Sequence, residues 1–372
     1  MKRISLYIHI PFCVRKCAYC DFTSFPNKTD QIPNYIHRLE REMDEAVSRF
    51  GDLAVDTLFI GGGTPSLLGG GDMARLMDAA AKRFSLSPGA EITCEANPGT
   101  LDPEKLRAYR AAGINRLSIG VQAFDDRLLR ALGRIHTCDE AKRAVLMAHD
   151  ALFDNLSVDL MYALPGQSLE DWQSTLQTAV GLPIRHISCY SLIVEDGTPM
   201  KALADSKAVV LPDEETTVGM QHTAEAFLKD YGFERYEISN YAQSGYESRH
   251  NMIYWTRGDY LGLGCAAHSL MNGARFANTA SLEDYLAGKA GDPPEALTAS
   301  DVYIERIMLG LRTKNGVPAA ILPKKTLDRL VRGGLMTAEN GRARVTQAGG
   351  DVLNAIILEL IRGDSARHLK KR

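Results

Sequence analysis

The sequence predicts an α/β fold: an open, partial (β/α)6 barrel followed by a β-rich extension and a small helical, winged-helix-like unit. Two observations carry the barrel. Six runs rich in β-branched and apolar residues alternate with stretches of helical periodicity up to about residue 194, the pattern of a parallel sheet. Polar and glycine-rich residues recur just after the strand ends, where barrel proteins place their sites. Six strands are too few to close an eight-stranded barrel, so the sheet stays open.

In chain order, Ile4 to Ile10 reads as the first strand and Ile32 to Phe50 as a helix, with Tyr35, Leu39, Met43 and Ala46 on one side. Val55 to Ile60 is the second strand, ending abruptly in Gly61-Gly62-Gly63-Thr64. Helix 72–84, strand Glu91 to Glu95 and helix 101–112 follow, the last opened by Asp102-Pro103. The remaining strands are Arg116 to Val121, Leu156 to Met161 and His186 to Val194, separated by helical stretches over 125–132, 140–152 and 169–180. After a helix over 214–231, the pattern shifts to short strands at 233–241, 249–255 and 260–277, expected as an antiparallel extension. Gly291-Asp292-Pro293-Pro294 marks a linker. Helical runs over 302–311, 325–331 and 351–360 surround a hairpin signal at Asn340-Gly341. The expected units are therefore 1–232, 233–290 and 295–372.

The chain of 372 residues has ordinary apolar and charged fractions and a net charge of −3. That balance argues against nucleic acid as a partner, because phosphate neutralisation needs a basic excess. No apolar stretch approaches the roughly 20 residues of a membrane span, and no signal peptide precedes the first strand. Seven cysteines are too sparse for a disulfide scaffold and fit a reducing cytoplasm. Cys94, Cys138 and Cys189 are isolated and read as small hydrophobes.

The chemistry concentrates in Pro11-Phe12-Cys13-Val14-Arg15-Lys16-Cys17-Ala18-Tyr19-Cys20-Asp21-Phe22, directly after the first strand. Three thiolates this close can hold three irons of a four-iron cluster, leaving the fourth without a protein ligand. An amino acid's amine and carboxylate could chelate that open iron. A zinc site would want a fourth close ligand, and no histidine stands at finger spacing. A redox disulfide is the other reading. Further along, Glu95, Gln122 and Asp159 end strands three, four and five, and Arg134 follows strand four. A carboxylate at a strand end can accept ribose hydroxyls, and an arginine fork can grip a carboxylate.

The cysteine spacing resembles the radical S-adenosylmethionine (SAM) superfamily. More narrowly, residues 7–13, the glycine loop, Glu95-Ala96-Asn97-Pro98, Gly120-Val121-Gln122 and residues 159–166 look like the HemN-like family of oxygen-independent coproporphyrinogen III dehydrogenases, over nearly the whole chain. The resemblance implies a partial six-stranded barrel, a [4Fe-4S] cluster on Cys13, Cys17 and Cys20, and SAM on the unique iron. It implies a first SAM at Tyr7, Gly62 and Glu95, and a second at Tyr19, Gly63, Thr64, Gln122, Arg134 and Asp159. An external electron donor would reduce the cluster.

Two departures point away from the dehydrogenase itself. Phe22 stands where that enzyme has a fourth cysteine, and the first strand begins almost at Met1, without the enzyme's N-terminal extension. Arg249-His250-Asn251-Met252-Ile253-Tyr254-Trp255 instead resembles the motif of a haem-binding branch, His-Asn, two residues, Tyr-Trp. That branch implies haem contacted by His250, Tyr254 and Trp255, with His268 the alternative ligand and Ala266 where relatives carry glycine. Without the resemblance, His250 reads as a core histidine. Neutral imidazole suits haem iron, and Tyr and Trp can stack on a porphyrin. The expected function is a haem chaperone that passes haem to an acceptor such as a respiratory enzyme, with dimerisation left open. Its rivals are a true coproporphyrinogen III dehydrogenase and a radical SAM enzyme of another substrate.

Overall fold

The computed structural model describes residues 1–368; the last four positions of the expected unit 295–372 lie outside the described residues. Six strands, β1 (Lys2–Ile10), β2 (Leu53–Gly62), β3 (Ser85–Ala96), β4 (Arg116–Gln122), β5 (Asn155–Tyr162) and β6 (His186–Ser191), lie side by side in chain order, every adjacent pair parallel. The connections carry α1 (Ile32–Phe50), α2 (Gly70–Arg83), α3 (Pro103–Ala111), α4 (Asp126–Ala131), α5 (Cys138–Asp150) and α6 (Leu169–Val180). Parallel strands need such crossovers, and the helices bury their apolar stripes on the sheet. Tyr35, Leu39 and Met43 of α1 are fully buried in the same core as Leu6, Ile8 and Ile60. Local signals fix the helix starts: Asp102 accepts from the Lys105 amide (2.8 Å), and Thr137 with Glu140 forms a capping box at α5.

After α7 (Pro199–Asp205) and α8 (Glu214–Asp230), the expected antiparallel extension is divided between both edges of the sheet. On one edge β7 (Glu234–Glu237) and β8 (Asn240–Ala242) continue from β6, antiparallel. On the other, β9 (Tyr260–Leu263) runs parallel to β1, followed by β10 (His268–Met271), β11 (Ala274–Ala277) and β12 (Glu295–Ala296). The result is one open sheet of twelve strands in the order β12-β11-β10-β9-β1-β2-β3-β4-β5-β6-β8-β7.

Residues 249–255 are not a strand. They form α9 (Arg249–Trp255), started by Ser248, whose hydroxyl accepts from the Asn251 amide at 3.3 Å. Glu91 of β3 accepts from the amides of Arg249 (3.1 Å) and His250 (3.0 Å). A carboxylate from a distant strand thus satisfies the orphan donors of the first turn, and this tertiary contact overrides the β propensity of Ile253, Tyr254 and Trp255.

Beyond α10 (Leu282–Leu286), a second core gathers Ile307, Leu330, Met336, Ile356 and Leu360. Its elements are α11 (Ala299–Gly310), β13 (Val317–Pro318), α12 (Lys324–Arg332), β14 (Met336–Glu339), β15 (Arg342–Val345), α13 (Gln347–Asp351) and α14 (Leu353–His368). The strands form a separate sheet, β13-β15-β14, with the hairpin at Asn340-Gly341. Among the described residues, no helix is long and apolar enough to cross a membrane.

Candidate functional site

The three cysteines occupy the loop after β1, and all are free thiols. Backbone bonds pin this loop from three sides: Phe25 N–H to Pro11 O (2.6 Å), Ala18 N–H to Leu132 O (3.1 Å) and Met200 N–H to Ala18 O (2.8 Å). Thr64 Oγ1 donates to Cys13 Sγ and Arg134 Nη1 to Cys17 Sγ, each at 3.5 Å. Donors aimed at sulfur steady a thiolate, and burial pushes the Cys20 thiol up. The glycine loop lies against this segment. A Cβ on Gly63 would stand 2.7 Å from Phe12 O and 3.1 Å from Cys13 Sγ, and Gly62 has φ 112° with the His9 ring filling its side-chain space. Only glycine allows that approach. Among the described residues no three His, Cys, Asp or Glu side chains are placed to hold one metal ion. A four-iron cube asks something else, a separate corner for each thiolate, and the donor set of three free thiols under a glycine cradle fits it.

Cys13, Cys17 and Cys20 line a small cavity of about 140 Å3 together with Tyr19, Gly62, Gly63, Thr64, Glu95, Gln122, Arg134 and Asp159. The fold therefore collects eight of the nine expected SAM-contacting residues at the sulfur atoms. Tyr7, the ninth, lines two adjoining cavities of about 470 and 700 Å3. Glu95 Oε2 accepts from the Gly62 amide at 3.0 Å; burial, then the nearby Asp159 carboxylate, raise its pKa to about 8. Asp159 is raised too, chiefly by burial, although Ser118 Oγ donates to it at 2.9 Å. Gln122 sits at φ 69° where the β4–β5 register slips, a strained position of the kind that clusters at sites. Arg134 is already engaged: besides Cys17, its Nη2 donates to Asn97 Oδ1 and Gly120 O, both at 2.6 Å. A bidentate grip on a ligand carboxylate would exchange some of these bonds.

The haem-motif residues separate. His250 is fully buried. Its Nδ1–H donates to Thr57 Oγ1 (2.8 Å), whose own proton goes to Ser5 (2.7 Å), so Nε2 accepts from Tyr254 O–H (2.8 Å). Phe59 stacks on the ring at 5.1 Å, and burial, then Arg116, lower its pKa to about 3. With both nitrogens engaged, this imidazole offers no lone pair to a ligand. Tyr254 faces both larger cavities, but Trp255, the next residue on α9, faces Arg306, Gly310 and Val317 of the C-terminal unit instead. His268 is exposed on the 470 Å3 cavity beside Tyr254 and Tyr260, and its ring makes no hydrogen bond among the described residues. Ala266 has φ 60°, the backbone shape for which glycine is the natural occupant.

Three residues escaped sequence reasoning. His9 donates from Nε2 to Thr23 O (2.9 Å) and accepts from Tyr7 O–H (2.8 Å), tying the cysteine loop to the cavity wall. Asn97 donates to Thr64 Oγ1 at 3.0 Å while receiving Arg134. Arg116 lies buried and lines the 700 Å3 chamber. The first two stand within motifs quoted above; Arg116 is marked only by being a charge inside an apolar strand.

The radical SAM superfamily model matches residues 7–179. The coproporphyrinogen III oxidase HemN of Escherichia coli, described as a radical SAM enzyme, superposes with a TM-score of 0.84 over 96% of this chain and 90% of its own, at 24% identity. The fold is thus HemN-like, and the chain is a radical SAM superfamily protein. The heme chaperone HemW of Escherichia coli (strain K12) is 37% identical over 95% of this chain and 97% of its own, and that of Bacillus subtilis (strain 168) is 38% identical over 84% of each. The chain belongs to the HemW family of the radical SAM superfamily.

Proposed function

We propose that this protein is a haem chaperone that binds haem and delivers it to an acceptor protein. The observation that carries the reading is the imidazole of His268, without a hydrogen bond among the described residues, on a cavity walled by Tyr254 and Tyr260. A single exposed ligand beside stacking aromatics makes a site that holds haem and can release it. In this reading His268 faces the iron, Tyr254 packs on the porphyrin, and His250 acts through Tyr254 by fixing its hydroxyl. Cys13, Cys17 and Cys20 would hold a [4Fe-4S] cluster, with the nine residues from Tyr7 to Asp159 named above around SAM. Those cofactors supply reductive cleavage of a sulfonium when bound and reduced. The chain's own part is to shield the thiolates, to hold Glu95 and Asp159 within a buried site ready for ribose hydroxyls, and to keep Arg134 beside Cys17. The six parallel strands are read as a partial barrel, 233–290 as its extension and 295–372 as a winged-helix-like unit, in a cytoplasmic protein served by an electron donor.

The test uses one anaerobically reconstituted sample. Haem titration should give a Soret band in the wild type, with affinity about ten-fold lower or worse in His268→Ala. In His250→Ala the band position should be kept. Incubation with coproporphyrinogen III, SAM and a reductant should yield no protoporphyrinogen IX; catalytic turnover would establish the dehydrogenase instead.

A further inference from the structure

One charged side chain has no task in this scheme. Arg116 begins β4, is 2% exposed, and lines the 700 Å3 chamber with Ser118 and Gln122 of the same strand. Its Nε is enclosed without a partner, and its guanidinium makes no hydrogen bond or ion pair among the described residues. A buried cation is tolerable when paired and costly when not.

The neighbouring carboxylates are spent elsewhere. Glu95 accepts from Gly62, Asp159 from the hydroxyls of Ser118 and Ser188, and Glu91 from the amides that start α9. Glu237 accepts from Ser239 and Asn240. Glu95 and Asp159 feel Arg116 only as a charge at a distance. The guanidinium fork, which suits a planar carboxylate, is therefore left for something that enters the chamber.

The chamber says what kind of molecule that is. Phe22, Tyr254, Tyr190, Met161 and Ile193 give it apolar lining, Asp21, Glu95, Asp159 and Glu195 are its carboxylates, and Arg116 is its one arginine. From Gln122 at the end of β4 to Arg116 at its start the strand spans six residues, about 20 Å at the usual rise. A carboxylate arm reaching past Tyr254, a wall both cavities share, from a flat aromatic body in the 470 Å3 cavity matches this profile. We propose that Arg116 is the chamber's carboxylate receptor and takes a propionate of the bound tetrapyrrole, an assignment that rests on the haem reading above.

The experiment titrates haemin and haemin dimethyl ester, which has no free carboxylate, into the full chain after cluster reconstitution. Wild type should bind haemin about 10–100-fold tighter than the ester, the size of a charge-assisted contact. Arg116→Met should bind both with the wild type's affinity for the ester, and Arg116→Lys should recover part of the difference. SAM affinity should not change, and the ligand-free Arg116→Met protein should melt no lower than wild type, since an unpaired buried charge has been removed. Equal binding of haemin and ester by wild type overturns the proposal, and needs no variant to fold. So does an Arg116→Met protein that keeps the haemin-to-ester ratio and melts lower, which would make Arg116 a structural counter-charge. A loss of SAM affinity instead of haemin affinity would assign the carboxylate to SAM and overturn it equally. Failure of the wild type to bind haemin at all would remove the haem reading and this proposal together.

Discussion

The cysteine loop and α9 face the same interior, yet they treat their polar atoms in opposite ways. In the loop, three thiols remain free and Cys17 and Cys20 are partly open, with donors pointing at sulfur rather than capping it. On α9, every polar atom of His250 is taken: its amide by Glu91, Nδ1 by Thr57 and Nε2 by Tyr254. A group that must bind a metal keeps its lone pairs available; a group that must hold a shape gives them away. Similar residue types in neighbouring motifs can therefore do different work, and the hydrogen-bond inventory tells them apart.

The sharpest break of this contrast is on the loop side. Replacing any one of Cys13, Cys17 or Cys20 by alanine should drop iron and sulfide after reconstitution from about four per chain to near zero, measured chemically and by absorbance. Retention of a full cluster in Cys17→Ala would remove the distinction. Gly63→Ala comes next. Its Cβ would press on Phe12 O at 2.7 Å and Cys13 Sγ at 3.1 Å. We expect about 1–3 kcal/mol of lost stability in denaturant titration together with poorer cluster retention.

On the α9 side, Thr57→Val leaves Nδ1–H of His250 without an acceptor and should cost about 1–3 kcal/mol. The Soret position should stay unchanged, because the substitution alters a support and not a ligand. A shifted Soret band would return His250 to the iron. The smallest effect is on the pH profile of the cofactor-free protein. Glu95 is raised from 4.5 to about 8 in the folded state. Folded chains therefore keep a proton that unfolded chains release, and stability falls as pH rises through that window. Glu95→Gln should flatten this decline. His250, lowered from 6.5 to about 3, acts on the other limb: unfolded chains gain a proton first, so stability is lost as pH falls below 6.5.

Much of this protein was legible in its sequence. The six parallel strands follow from β-branched runs alternating with 3.6-residue periodicity, and α1 and α6 begin and end where that periodicity does. The three cysteines and the glycine loop are likewise visible, since each motif follows a strand directly and its chemistry is local in the chain. The misread element has a tertiary cause. Residues 249–255 look like a strand by composition, but Glu91, far away in sequence, supplies the acceptors that start a helix there. The motif marks His250 as a haem contact, and only the fold shows that Thr57 and Tyr254 hold both its ring nitrogens.

What the sequence determined by itself is whatever depends on neighbours along the chain: the alternation of elements, the thiol spacing and the glycine approach. Only the tertiary structure decided the division of the extension between the two sheet edges, the parting of Tyr254 from Trp255 across α9, and the lack of a partner for Arg116 among the described residues. The physical reason is that a hydrogen bond or a buried charge is settled by whichever partner the fold brings within about 3 Å, and for these residues that partner, present or missing, lies far off in the chain.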